Sequence, residues 1–344
     1  MLDLPDIPVP NLALAPALRA RIDGKAKPPG SLGRIEDLAV RLGLIQGRTD
    51  PVAERATILL FAGDHGMTED GVSSYPSAVT LAMVQTILAG RGTVNAFARA
   101  VGAELRVVDA GVAAELAPHP MLIQAKIRPG TRNAVREPAM TQDEAVQALR
   151  MGCRVAVDAI ADGADCLAMG EMGIGNTASA ALLMHRLGPA DLDLCIGAGA
   201  GHDDAGMARK RAALHRAAAR SDAHAPLDVL SQFGGFEIAM MAGAIIGAAS
   251  RRTPMIVDGF IATAAALVAA RLAPASLDCC IYAHRSAEAG HARLLALLGA
   301  EPLLDLSLRL GEGSGAALAI PLIRAAARLL TDVADLADVL AAAR

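Results

Sequence analysis

The sequence predicts an α/β protein built on a parallel sheet flanked by helices. Short apolar runs ending in Gly, Asp or another small polar residue recur from residue 56. They are ATILLFAGDHG (56–66), LRVVDAGV (105–112), DCLAMGEMGIGNT (165–177), LDLCIGAGAG (192–201), PMIVDGF (254–260) and DCCIYAHRSAEAG (278–290). These runs are continuous rather than alternating, the pattern of strands buried on both faces. A helical pattern usually follows each run, which is the rhythm of βαβ units. Ligands of such sheets bind beyond the carboxyl ends of the strands, where this chain holds most of its glycine clusters and isolated polar residues.

The chain ends lack intervening strands. Residues 1 to about 50 are Pro-rich and then helical, and GRIEDLAVRLGLIQG carries Ile35, Leu38, Ala39 and Leu42 on one face. The preceding KPPGSLG must be an irregular loop. Residues 316–344 form a second terminal helical region. The expected division is a small helical domain from 1–50 and 316–344 and a large α/β domain from 51–315 that carries the active site.

Composition narrows the chemistry. The chain has 344 residues, 53% hydrophobic but only 2% aromatic with no Trp, so the core is built from Ala, Leu, Val, Ile and Met. A net charge of -4 argues against a general nucleic-acid binder. The five cysteines show no CxxC spacing and read as reduced thiols. The amino-terminal MLDLPDIPVP lacks the basic start and apolar run of a signal peptide. IAMMAGAIIGAAS and GFIATAAALVAA fall short of the roughly 20 residues that span a bilayer and read as core helices. A cytoplasmic protein with no membrane span is expected.

Several familiar sites are missing. There is no GxxxxGK[ST] phosphate loop, no GxSxG elbow and no His/Cys/Asp cluster with metal-ligand spacing. GAGAG at 197–201 is GxGxG rather than GxGxxG, a weak dinucleotide fingerprint. An oxidoreductase using it would need a ribose-binding acid about 20 residues on, whereas PMIVDG lies about 55 residues away. What remains is a set of glycine-lined strand ends suited to a phosphate. GEMGIGNTASAA leads into a helix opened by Asn176 or Thr177, GAGAGHDDAGMARK places Lys210 one helix further on, and HRSAEAGH adds Ser286. LRLGEGSGAA sets a single carboxylate, Glu312, among three glycines. Held there beside apolar strand ends it would be partly desolvated, with a raised pKa and improved basicity.

Five segments, KPPGSLGRIEDLA, AGDHG…GVSSYPSAVTLAMVQTILAGRGTVNAFAR, GEMGIGNTASAA, HRSAEAGH and LRLGEGSGAALA, closely resemble the nicotinate-nucleotide:dimethylbenzimidazole phosphoribosyltransferase family. The resemblance runs from about residue 20 to about 330. It implies a Rossmann-like parallel sheet domain, a small helical domain drawn from both termini, and a homodimer. It also implies transfer of phosphoribose from nicotinate mononucleotide to 5,6-dimethylbenzimidazole, giving α-ribazole 5′-phosphate and nicotinate. By resemblance Glu312 is the base that removes the benzimidazole proton, and no metal or other cofactor is implied. Ser77, Gln85, Met172 and Leu310 are similar to benzimidazole contacts, and Glu171, Gly173, Gly199, Lys210 and Ser286 to the nucleotide and phosphate side. On a helix Ser77 and Gln85 lie about 80° apart.

Each assignment has a plainer counterpart. Without the family, Glu312 is a surface turn residue, Lys210 part of a solvated ARKR face, Ser77 an N-cap and Gln85 solvent-facing. His65, His202, His284 and His291 read as hydrogen-bonded structural residues, and Asp258 has no assigned role. A nucleotide- or azole-binding protein without activity is the non-enzymatic alternative.

Overall fold

The computed structural model describes residues 4–199 and 201–344. Met1–Asp3 of the amino-terminal helical region and Ala200 of GAGAG lie outside the described residues.

Six strands form one sheet: β1 (Ala56–Gly63), β2 (Glu104–Gly111), β3 (Leu122–Gln124), β4 (Cys166–Met172), β5 (Met255–Val257) and β6 (Cys280–Tyr282). The spatial order is β3-β2-β1-β4-β5-β6 and every pairing is parallel. This is the doubly wound Rossmann order, which reverses direction between β1 and β4 and opens a crevice there at the carboxyl edge. β1 is buried along its whole length, as its uninterrupted apolar run requires.

Two expectations change. Among the described residues of 192–201 there is no strand: Leu192–Cys195 form a single helical turn, started by the Asp191 side chain accepting from the Asp193 amide at 2.9 Å, and Gly197, Gly199 and Gly201 lie outside any helix or strand. An acid poised to cap a turn outweighs a short apolar run. Conversely β3 spans three residues on the sheet edge, too short for any periodicity to register.

In chain order the helices are α1 (Ala15–Asp23), α2 (Arg34–Gln46), α3 (Ala78–Leu88), α4 (Thr93–Val101), α5 (Gln142–Ala161), α6 (Asn176–Leu187), α7 (Leu192–Cys195), α8 (Asp204–Arg220), α9 (Pro226–Phe233), α10 (Phe236–Ser250), α11 (Phe260–Leu272), α12 (His291–Leu297), α13 (Ser314–Thr331) and α14 (Leu336–Ala342). The two Ala-rich core segments become α10 and α11, buried almost throughout. α10 crosses α5 so closely that a Cβ on Gly152 would stand 1.9 Å from the Met240 carbonyl oxygen. A chain poor in aromatics fills its core this way, by bringing backbones together over small residues. α5 starts from a reciprocal cap, Thr141 with Glu144.

The chain ends meet. α2 buries Leu38, Ala39 and Leu42 and packs on α13. Ala26 and Leu336 amides donate to the Ala334 and Gly24 carbonyls, both at 2.8 Å. α13 also lies against β4 and β5, so it belongs to the sheet's cover as much as to the terminal helices. At 18 residues, α13 is the only described helix long and apolar enough to cross a membrane. With 61% of it buried, it is packed as a core helix.

Candidate active site

A cavity of about 460 Å³ opens at the carboxyl edge of the sheet. That volume suits a small ligand. Glu171, Met172 and Gly173 line it from the end of β4, Asp258 and Gly259 from the end of β5, and His284 and Ser286 from beyond β6. Gly199 and the segment Arg309–Glu312 complete it, with Tyr75, Val79 and Met83 at the α3 side.

Glu312 is 4% exposed and sits in a run of three left-handed residues, Gly311 (φ 83°), Glu312 (φ 60°) and Gly313 (φ 77°). A left-handed conformation costs a residue with a Cβ about 1–2 kcal/mol. The neighbouring glycines are needed for space. A Cβ on Gly170 of β4 would lie 2.3 Å from the Gly313 nitrogen, and one on Gly311 2.3 Å from Glu171 Oε1. The backbone of the Glu312 turn therefore rests directly on β4, and its side chain enters the cavity wall. Glu312 Oε2 is buried without a protein partner. Burial raises the carboxyl's pKa. The Val94 and Thr93 amides at the start of α4 oppose that rise, and the Asp258 charge adds to it.

Glu171 lies across the same wall. Burial, then the charges of Glu237 and Asp258, push its pKa to about 8, against a hydrogen bond from Asn176. It is therefore mostly protonated at neutral pH, a neutral donor on the same wall as Glu312. Gly173 precedes the amino terminus of α6, where Gly175 takes φ 96°, the Asn176 amide donates to the Gly173 carbonyl at 3.2 Å, and Asn176 and Thr177 line the cavity. Helix amino termini favour phosphate.

Lys210 does not line the cavity. Its fully buried ammonium donates to Thr177 Oγ1 at 3.0 Å and the Gly197 carbonyl at 2.9 Å, one layer behind the wall. Burial draws its pKa down to about 8, with Glu288 opposing. The solvated-face reading of Lys210 is thereby corrected: the side chain crosses from α8 under α6. Arg309, absent from the expected site, is the cation on the cavity surface. Glu288, also absent, has its pKa raised by burial and lowered in part by Lys210 and Arg309. Glu288 stood in HRSAEAGH and Arg309 beside LGEGSG, so their motifs were visible though their direction was not.

Ser77 and Gln85 are exposed and lie outside the cavity wall. The cavity-facing residues of α3 are Val79 and Met83, one turn apart on a single stripe. The expected 80° between Ser77 and Gln85 holds for any helix, but it does not say which stripe faces the sheet. Ser286, by contrast, is buried at the wall, and its amide donates to His291 Nδ1 at 2.8 Å. His291 Nε2 meets Thr263 Oγ1 at 2.9 Å, and that hydroxyl donates to the Gly259 carbonyl at 2.8 Å. The ring thus accepts at Nδ1 and donates at Nε2, a neutral imidazole. Burial and His284 together lower its pKa to about 3.

His65 and His202 are likewise bonded at Nε2, and His284 leaves Nδ1 buried without a partner. His65 Nε2 meets Glu237 Oε1 at 2.7 Å, both fully buried. His202 Nε2 meets the Val72 carbonyl at 3.1 Å. Lys27 pairs with Glu36 at 2.8 Å, tying the KPPGSLG loop to α2, and Asp64 accepts from the Ala113 amide at 2.8 Å. Asp258 accepts from the backbone at the start of α13. No group of three or more described His, Cys, Asp or Glu residues is arranged to hold a metal.

A Rossmann-ordered sheet whose carboxyl edge joins a phosphate-suited helix terminus to a buried carboxylate with one unpartnered oxygen defines an enzyme acting on a phosphorylated ligand. The comparisons with known proteins specify it: residues 7–339 match the model of the phosphoribosyltransferase family, and the chain belongs to that family. It is 52% identical over 334 residues to nicotinate-nucleotide–dimethylbenzimidazole phosphoribosyltransferase of Cupriavidus taiwanensis, covering 97% of this chain and 96% of that one. It is 56% identical over 330 residues to the protein of that name from Ralstonia nicotianae, covering 95% and 93%. The crystal structure of CobT from Thermus thermophilus superposes with a TM-score of 0.91 at 43% identity, covering 95% of this chain and 98% of that one.

Proposed function

We propose that this chain transfers phosphoribose from nicotinate mononucleotide to 5,6-dimethylbenzimidazole, releasing nicotinate. The supporting observation is Glu312, a buried carboxylate with a free oxygen at the cavity wall. In this reaction the bond from the ribose C1 to the pyridinium nitrogen breaks, and a benzimidazole nitrogen forms a bond to the same carbon. The leaving pyridinium is already cationic, so the ring departs as an uncharged pyridine, nicotinate, without a general acid. The ring's N–H proton passes to Glu312, whose burial favours accepting it.

The nucleotide's phosphate lies at the α6 amino terminus by Gly173, Gly199 and Ser286, with Lys210 behind the wall and Arg309 before it. Glu171, protonated, faces the sugar side. The benzimidazole lies between Met172, Leu310 and the Val79–Met83 stripe, and Ser77 and Gln85 reach it only if α3 turns on binding. Leu310 is 55% exposed and becomes covered by the base.

The dinucleotide alternative loses its footing because GAGAG does not follow a strand. The same reading makes the protein a cytoplasmic homodimer divided at residues 50 and 315. All five cysteines are free, which suits a reducing compartment. α14 exposes Leu336, Val339 and Leu340, which suits a partner.

The test is incubation of the pure protein with nicotinate mononucleotide and dimethylbenzimidazole, assaying released nicotinate. Release that requires the base supports the reading, and no release, or release independent of the base, removes it.

A further inference from the structure

We propose that Asp258 is the positioning residue for Glu312, its carboxylate holding the left-handed turn from which Glu312 reaches the cavity. The inference rests on the phosphoribosyl-transfer reading above. Asp258 follows β5 and is 2% exposed. Oδ2 accepts from the Gly313 amide at 3.2 Å and Oδ1 from the Ala316 amide at 2.8 Å. Both donors belong to the opening of α13, which needs an acceptor there. Gly313 is also the residue next to Glu312.

Glu312 holds φ 60°, a conformation that persists only where the surroundings over-determine it. Two anchors do so. The Glu312 amide donates to the Glu171 carbonyl at 3.2 Å, fixing the turn to β4. Asp258 fixes the following residue to β5. The turn cannot relax inward, because the Gly170 backbone already touches it. Asp258 is itself backed by His284, whose Nε2 stands 3.5 Å from Oδ1. The His284 ring packs so tightly on α13 that a Cβ on Gly315 would lie 2.0 Å from its Cδ2. The Glu312 carboxylate is therefore located by the ends of two adjacent strands rather than by its own flexible segment.

The charged and polar groups around Glu312 come from each packed element. Asp258 follows β5 with His284 beside it, Glu171 ends β4, and the Thr93 and Val94 amides open α4. Arg309, on the same segment, directs Nη1 toward the Gly199 carbonyl at 3.5 Å. The Asp258 charge disfavours ionisation of Glu312, so removing it moves the acid limb of the rate profile to lower pH. A plain helix cap would carry the same charge and shift the limb alike, so kcat measured well above that limb separates positioning from capping.

The experiment compares Asp258→Asn and Asp258→Glu with the parent enzyme for kcat, both KM values, the pH profile of kcat/KM and Tm. Gly313 and Ala316 donate to different oxygens of Asp258, and an amide in the same place sets an NH2 donor against one of them. Asp258→Asn should lower kcat about 10²-fold, the scale of a 1 Å misplacement, with nucleotide KM within about twofold and the acid limb shifted down. Asp258→Glu keeps the charge but displaces the acceptors, so kcat falls between the two while the limb stays at the parent's pH. Should Asp258→Asn fail to fold, the Glu variant alone decides, since parental kcat there overturns the inference. Parental kcat in the Asn variant, or a loss with an unmoved limb that follows Tm, overturns it as well. An inert parent removes the transfer reading and this inference with it, whereas an active parent beside either contrary result overturns the inference alone.

Discussion

The backbone amide of Glu312 donates to the backbone carbonyl of Glu171 at 3.2 Å, tying the two cavity acids together through their main chains. Their carboxyls face different surroundings. Glu171 is buried among other acids, while Glu312 has the α4 amides near it and one oxygen free. Glu171 thus stays protonated near neutrality, while the α4 amides oppose the rise that burial gives Glu312, a difference that environment alone creates.

Glu312→Gln should remove most turnover while leaving nucleotide binding intact. General base catalysis supplies about 10²–10⁴-fold, and the Gln side chain preserves shape and the left-handed turn. The check is kcat together with calorimetric affinity for nicotinate mononucleotide. A loss under about tenfold would reassign the base.

Glu171 carries a stability signature. Its folded pKa of about 8 lies above the ordinary carboxyl value of 4.5. Between those values the folded state keeps a proton that the unfolded chain has lost, so stability falls as pH rises across that window. Glu171→Gln, neutral at every pH, should lose less stability than the parent between pH values of about 5 and 8, by on the order of a few kcal/mol. Urea midpoints at the two pH values measure this, and equal losses in both proteins would contradict it.

Lys210 should act on the nucleotide and not the base. With its pKa near 8, the ammonium discharges as pH passes that value, and KM for nicotinate mononucleotide should rise there. Lys210→Met should raise that KM by about tenfold, which is about 1.4 kcal/mol. It should also cost about 1–3 kcal/mol of stability, because Thr177 and Gly197 lose a buried donor. A selective rise in the base KM would place the lysine wrongly.

On α3, Met83→Ala should raise KM for dimethylbenzimidazole, by roughly 10–200-fold at most for lost apolar contact, while Gln85→Ala changes it less than about twofold. Steady-state kinetics with the base varied decides. A larger effect at Gln85 would mean that α3 rotates when the base binds.

Most of the sheet was legible in the chain because β1, β2, β4, β5 and β6 are buried apolar runs with polar stops, and burial on both faces leaves that mark locally. The 192–201 run misled because apolar content does not distinguish a capped turn from a strand. Glu312 stood out because three glycines around one acid is a local oddity. The sequence by itself determined the α/β class, the glycine-rich strand ends and the family, since these rest on composition, rhythm and contiguous motifs. Tertiary structure decided which side chains face the cavity: Val79 and Met83 rather than Ser77 and Gln85, Arg309 before the wall with Lys210 behind it, and Asp258 beneath the Glu312 turn. Those outcomes depend on how a helix is rotated and on contacts between residues such as Asp258 and Gly313, 55 positions apart, which no local pattern encodes.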